Sequence, residues 1–240
     1  MKRDTLHLLG RIAQDVKLPK VYEIAIDPLI NLLTTTQQED LLKDGVWTLG
    51  YVLKNIKEDK NGVTKVIYSL IEGLTSRDWY IRANSCWVLG HIAENVVYPE
   101  VFSILAQAIT PLIAALRDNE SKVRDNAAEV LGHMASNADE KVMIDLIQVI
   151  EPLIGMLKDK DWKVRDNAIW SLGQIAHKAT PEILQQNLVK AVIPLTHLLN
   201  DKCCKVRSHS VDTISIIVNN INEPKIVKSV VESLVSLLKV

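Results

Sequence analysis

Three tryptophans, Trp47, Trp87 and Trp170, are each followed four residues later by a polar ring or amide: Tyr51, His91 and Gln174. Residues four apart share one face of a helix, so each pair sets a flat indole beside a polar tip. Interface hot spots favour that combination. Asn84 and Asn167 stand three residues ahead of Trp87 and Trp170, and Asn126 holds the same place seven residues ahead of His133. A carboxamide both donates and accepts, which matches a peptide backbone. The chemistry is recognition, and the partner-binding candidates are Trp47, Tyr51, Asn84, Trp87, His91, Asn126, His133, Asn167, Trp170 and Gln174. A second reading stays open, in which Asn84, Asn126 and Asn167 cap helix starts and the tryptophans pack between neighbouring layers.

Catalytic patterns are not apparent. No Ser/His/Asp order, glycine-rich phosphate loop or paired-carboxylate motif stands out, and no catalytic residue is expected. His91 and His133 invite a metal hypothesis with Glu94 and Glu129 as nearby carboxylates, but no His-Glu dipeptide occurs, and solvated histidines are the preferred reading. Neither metal nor cofactor is expected. Cys86, Cys203 and Cys204 make no disulfide framework, and adjacent Cys203-Cys204 lacks CxxC spacing.

Lys and Arg number 28 against 29 Asp and Glu, a net charge of −1, so the basic excess that tracks phosphates is missing and no nucleic-acid partner is expected. No run approaches the ~18 apolar residues that cross a bilayer, and Met1-Lys2-Arg3-Asp4 leads into no secretory apolar block. A cytoplasmic location and no membrane partner follow as expectations. The 48% apolar and 24% charged content fits a folding chain rather than a disordered one.

The elements that must position the candidates are read from internal repetition. Leu-Gly recurs at 9–10, 49–50, 89–90, 131–132 and 172–173, with Ile214-Ser215 as a degenerate sixth copy, in steps of 40, 40, 42, 41 and 42 residues. A second anchor keeps the same period: Pro28-Leu29-Ile30, Ser69-Leu70-Ile71, Pro111-Leu112-Ile113, Pro152-Leu153-Ile154 and Pro194-Leu195. Each period reads as two helices. Around Leu-Gly, Cys86, Leu89, Ile92 and Ala93 take one side, as do Ala128, Leu131, Met134 and Ala135 one repeat later. A mid-helix glycine costs about 0.5–1 kcal/mol relative to alanine, and close helix approach is the simplest reason to keep one. The prolines of the second anchor should kink or split the first helix of each pair. Pro19, Pro99, Pro181 and Pro224 sit where that helix should start, with Thr180-Pro181 as N-cap and N1.

The turns carry Arg77-Asp78-Trp79-Tyr80-Ile81-Arg82, Ser121-Lys122-Val123-Arg124, Asp161-Trp162-Lys163-Val164-Arg165 and Cys204-Lys205-Val206-Arg207, with Asp118, Asp159 and Asp201 each six residues ahead of an arginine. Over nearly the whole chain this resembles the HEAT repeat. The resemblance implies an all-α, right-handed α-solenoid of HEAT-like helix pairs. It also implies an aspartate–arginine ladder through Asp118, Arg124, Asp159, Arg165, Asp201 and Arg207. Ser76 replaces one aspartate and Leu42 one arginine, so the ladder should weaken toward the N-terminus. The segments 86–93 and 168–176 are also similar to the armadillo repeats of importin-alpha, where a tryptophan and an asparagine four residues on bind extended peptides. Here Tyr51, His91 and Gln174 stand at the asparagine position.

The organisation expected is one solenoid over 1–240: half-repeat 1–17, five repeats (18–58, 59–97, 98–138, 139–179, 180–221) and half-repeat 222–240. The final helix, from Lys225, carries a wide apolar stripe including Val227, Val231, Leu234 and Val235, and head-to-tail self-association is one reading of it. The function expected is a non-enzymatic scaffold that binds a partner protein's extended peptide or helix on its concave face. The alternative, from resemblance, is a HEAT-type lyase or hydroxylase acting on a protein-bound group.

Overall fold

The structure, a computed structural model, describes residues 1–16, 19–55, 60–95, 99–221 and 224–237. Among these every regular element is helical: α1 Lys2–Asp15, α2 Pro19–Thr35, α3 Glu39–Asn55, α4 Lys60–Gly73, α5 Trp79–Asn95, α6 Pro99–Leu105, α7 Ile109–Ala115, α8 Ser121–Asn137, α9 Glu140–Leu146, α10 Ile150–Met156, α11 Trp162–Lys178, α12 Pro181–Gln186, α13 Val192–His197, α14 Cys204–Asn220 and α15 Pro224–Leu237. The fold class is an all-α solenoid of helix pairs. The chain divides inside α8 into two compact units, Met1–Val130 and Leu131–Val240. The repeat boundaries expected at 17/18, 58/59 and 97/98, and residue 222, lie outside the described residues; those at 138/139 and 179/180 fall in links between helices. No described helix is long and apolar enough to cross a membrane.

Proline decides where the first helices begin and break. α2, α6, α12 and α15 start on Pro19, Pro99, Pro181 and Pro224, where a missing N–H costs nothing because the first turn has no acceptor for it. Thr180 caps α12, its Oγ1 accepting from the Ile183 N–H. Pro111, Pro152 and Pro194 each become the third residue of a new helix (α7, α10 and α13) after a 3₁₀ turn. The expected split occurs at each of these three. Pro28 is the exception, lying inside the unbroken α2.

The second helices α3, α5, α8, α11 and α14 are each 17 residues long. The leucines of the Leu-Gly pairs in α3, α5, α8 and α11 (Leu49, Leu89, Leu131 and Leu172) are buried, as are Cys86, Ile92, Ala93, Met134 and Ile175. One position beyond the expected set is buried as well, two residues before the glycine (or before Ser215, its equivalent in α14): Thr48, Val88, Val130, Ser171 and Thr213. α15 leaves Val227, Val231, Leu234 and Val235 exposed.

The turns are fastened by arginine. In the first unit Arg82 donates through Nη1 to its own turn at Ser76 O (2.8 Å), and through Nε and Nη2 to both carboxylate oxygens of Asp118 in the next turn (2.6 and 2.9 Å). In the second unit Arg165 does the same with Asp159 O (2.8 Å) and the Asp201 carboxylate (2.8 Å on both oxygens). Arg124 and Arg207 clasp their own turns through Asp118 O and Asp201 O. A rung therefore runs from Arg82 and from Arg165 to the aspartate of the following turn, which brings in Arg82, a residue outside the six expected. At the N-terminal end, where Leu42 stands for the arginine, α1 is joined to α3 by Arg3 and His7 on Asp44.

Burial alone would raise the carboxyls of Asp118 and Asp201, but hydrogen bonds from Arg82 and Arg165 hold both below the ordinary carboxylate range. A depressed folded-state pKa contributes stability above the unfolded value, near 4, that is lost as pH falls through the folded value. Thermal unfolding followed by circular dichroism should hold steady from neutrality to about pH 5 and decline below about pH 4. Asp118→Ala should cost about 3 kcal/mol at neutral pH, because it strands a largely buried guanidinium, and should make the acid decline shallower.

Candidate functional site

The spacing between successive second helices is set where the Leu-Gly glycine of one meets the next. A Cβ on Gly132 would lie 2.2 Å from the Trp170 ring and 2.6 Å from Ser171 Oγ, and one on Gly10 would lie 2.2 Å from the Trp47 ring. At Gly173 the nearest atom, Thr213 Oγ1, would be 2.9 Å away. None of these sites has room for a methyl group. At Gly90, by contrast, only an ordinary contact at 3.5 Å with Val130 would arise, and at Gly50 nothing lies within 4 Å.

The difference follows the residue two places before the glycine of the incoming helix. Thr48 Oγ1 donates across to Leu6 O (3.0 Å), and Thr213 Oγ1 to Ile169 O (3.3 Å). Such a bond brings one backbone against the other. Val88 and Val130 have no hydroxyl and cannot make it. At the joint between α3 and α5 the turn-side rung is also missing, because its arginine position holds Leu42 and its aspartate position Ser76. All three departures fall on one joint, and that joint is open.

The result is a cavity of about 740 Å³ between α3 and α5. Trp47, Tyr51, Val46 and Gly50 line it from α3, and Trp87, His91, Ile92 and Asn95 from α5, with Lys43 and Lys54 at the α3 rim. Trp47, 40% exposed, meets the edge of Tyr51 at 4.7 Å between ring centroids, and Trp87 meets His91 at 4.2 Å. Burial, opposed by Glu94 at 3.3 Å, lowers the His91 pKa, which keeps the ring neutral near pH 7. Lys43 pairs with Glu39 (2.7 Å). Burial and the negative charge of Asp125 raise Glu129.

Four of the ten candidates, Trp47, Tyr51, Trp87 and His91, thus share one cavity. Asn84 and Asn126 do not, and their assignment as partner contacts is corrected. Asn84 is 8% exposed, and its Nδ2 donates to the carbonyls ending α2, at Leu33 (3.0 Å) and Thr36 (2.8 Å). Thr36 O corresponds to the turn carbonyl that an arginine serves in later repeats, so the amide of Asn84 takes over from the arginine missing at Leu42. Asn126 is 2% exposed and donates to Ala83 O (2.8 Å). In the second unit Trp170 lies over Gly132 with the edge of His133 at 4.9 Å, while Asn167 and Gln174 are half-buried on α11. Among the described residues no group of three or more His, Cys, Asp or Glu is placed to hold a metal ion. Burial pushes the Cys86 thiol up, so Cys86 stays protonated.

Helix pairs in register, fastened by arginine–aspartate rungs, match family models in two places. A model of HEAT repeats matches residues 109–193, and one of a HEAT-like repeat matches 79–134. Residues 79–193 thus carry HEAT repeats, and the fold is of the HEAT/armadillo type. That fold is shared by solved structures at low identity. An engineered protein is 21% identical, with 92% of each chain covered and a TM-score of 0.64. A designed armadillo repeat protein is 20% identical, with 90% of this chain and 92% of that one covered and a TM-score of 0.62. Another, solved in complex with the peptide (KR)4, is 20% identical, with 89% and 92% covered and a TM-score of 0.65. No curated protein matches the chain.

Sequence reasoning missed Gly50, Lys43 and Lys54 as site residues. The signal was present in Val88, which breaks the hydroxyl pattern of Thr48, Ser171 and Thr213. Equivalent glycines should therefore respond oppositely to alanine. Gly50→Ala should raise stability by about 0.5–1 kcal/mol through helix propensity. Gly132→Ala should lower it by about 1–2 kcal/mol, as overpacking against Trp170 exceeds that gain. Denaturant midpoints of the two variants decide the matter.

Proposed function

We propose that the chain is a non-enzymatic scaffold that holds an extended segment of a partner protein along the exposed face of α3 and α5. The observation that carries this reading is the cavity over Gly50, walled by Trp47 and Tyr51 on one helix and Trp87 and His91 on the other. Indoles offer large, stiff contact area at low entropic cost, and a partly open apolar cavity with polar tips suits a side chain projecting from a peptide. A designed armadillo repeat protein of the same fold class was solved with a bound peptide, which supports the mode of use. The contribution of Trp170 and His133 is structural in this reading, because the indole is seated over Gly132 and neither residue lines the cavity.

Selection from a display library of random linear peptides tests the proposal on the full chain. Enriched peptides should bind the unaltered protein and lose affinity at least about tenfold on Trp87→Ala, the loss typical of a hot-spot anchor. Trp170→Ala should leave binding intact and lower thermal stability instead. Failure to enrich any linear peptide, or equal binding by the Trp87→Ala variant, overturns the proposal.

A further inference from the structure

We infer that the α3–α5 cavity selects an acidic peptide segment bearing one bulky aromatic side chain, with the ring held over Gly50 and flanking carboxylates on Lys54 and Lys43. This rests on the peptide-scaffold reading and adds the chemistry of the partner. Among the described residues, the formal charges lining the cavity are the two ammonium groups of Lys43 and Lys54. Lys43 is partly neutralised by Glu39, whereas Lys54 has no carboxylate partner among the described residues. His91 adds no negative charge, and the carboxylate of Glu94 faces His91. Indole faces also attract cations, but a cationic side chain entering here is repelled by the two lysines that line the cavity. An aromatic ring between carboxylates satisfies both features: the apolar wall takes the ring, and the cationic rim takes the charge.

The volume agrees with this occupant. About 740 Å³ lies within the ~300–1,000 Å³ range of ligand cavities, and among the described residues no neighbouring side chain or helix comes within 4 Å of a Cβ on Gly50, which leaves the floor free for a ring. The same space supplies a variant that blocks the site without harming the fold. Leucine at Gly50 points into the opening and improves helix propensity, so Gly50→Leu closes the cavity while the helix gains. Val88→Thr tests the joint from the other side, since a hydroxyl there can draw α5 onto α3.

Isothermal titration of the full chain with three capped heptapeptides supplies the test, each with a central phenylalanine flanked by glutamates, by serines or by lysines. The glutamate peptide should bind about tenfold more tightly than the serine peptide and tighter still than the lysine peptide. That margin should shrink several-fold as salt rises from about 0.05 M to about 0.5 M. Lys54→Glu should reverse the order, and Gly50→Leu should abolish binding with an unchanged or higher unfolding temperature. If the serine or lysine peptide binds as well as the glutamate peptide and still depends on Trp87, the acidic preference is wrong and the scaffold reading stands. If none of the three binds, the acidic aromatic occupant is wrong, and enrichment from the random peptide library decides the scaffold reading separately. Undiminished binding by Gly50→Leu removes the cavity as the site.

Discussion

The distance between neighbouring second helices is the constraint on which the rest of the molecule depends. Glycine at the crossing allows backbones to approach, and a hydroxyl two residues before the next glycine makes the approach worthwhile by donating to a carbonyl of the preceding helix. Thr48 on Leu6 O and Thr213 on Ile169 O show the bond directly. Close approach then leaves no room for a Cβ and gives an indole a flat seat, as Trp170 has over Gly132. Replacing the hydroxyl by valine removes the attraction but keeps the glycine. Gly90 then meets Val130 only at an ordinary 3.5 Å, and Gly50, where the rung is missing too, faces open space.

This accounts for one residue pattern having two roles. Trp170 and Trp87 occupy equivalent positions, yet one packs over Gly132 while the other walls a cavity. The difference does not lie in the tryptophans. It lies in Val88 instead of Ser171, and in the rung lost at Leu42 and Ser76. Opening the joint would also leave the carbonyls at the end of α2 without their arginine, and a buried acceptor without a partner costs on the order of 1–3 kcal/mol. Asn84 reaches back from α5 to supply the missing donor. The joint stays connected at its turn end while its middle stands apart.

The helix-pair architecture was legible in the sequence, because hydrophobic period, proline position and glycine position all report on local backbone. Helices beginning at Pro19, Pro99, Pro181 and Pro224 follow from φ alone, and the breaks before Pro111, Pro152 and Pro194 from a missing N–H. The site was legible only in part. Helical spacing singled out Trp47, Tyr51, Trp87 and His91, which line one cavity, and also Asn84 and Asn126, which are buried away from it. Their position on the helix face was right; what spacing could not show is that a neighbouring repeat lies against them and consumes their amides. A pattern that treats each repeat alike also misses a cavity created by departure from the pattern.

An irregular joint in a regular array costs stability, since each repeat contacts only its neighbours and nothing distant compensates. Three independent departures at one joint are hard to regard as drift, because each weakens the joint and the joint where they coincide holds a cavity of about 740 Å³ beside two indoles. The compensating amide at Asn84 argues the same way. A joint that had merely decayed would leave the α2 carbonyls unserved, whereas this one keeps its turn fastened and places its lysines at the rim of the gap. The turn holds the two repeats together so that their faces can stand apart, and the helix pair acts as a frame around a cavity rather than as another layer of the stack.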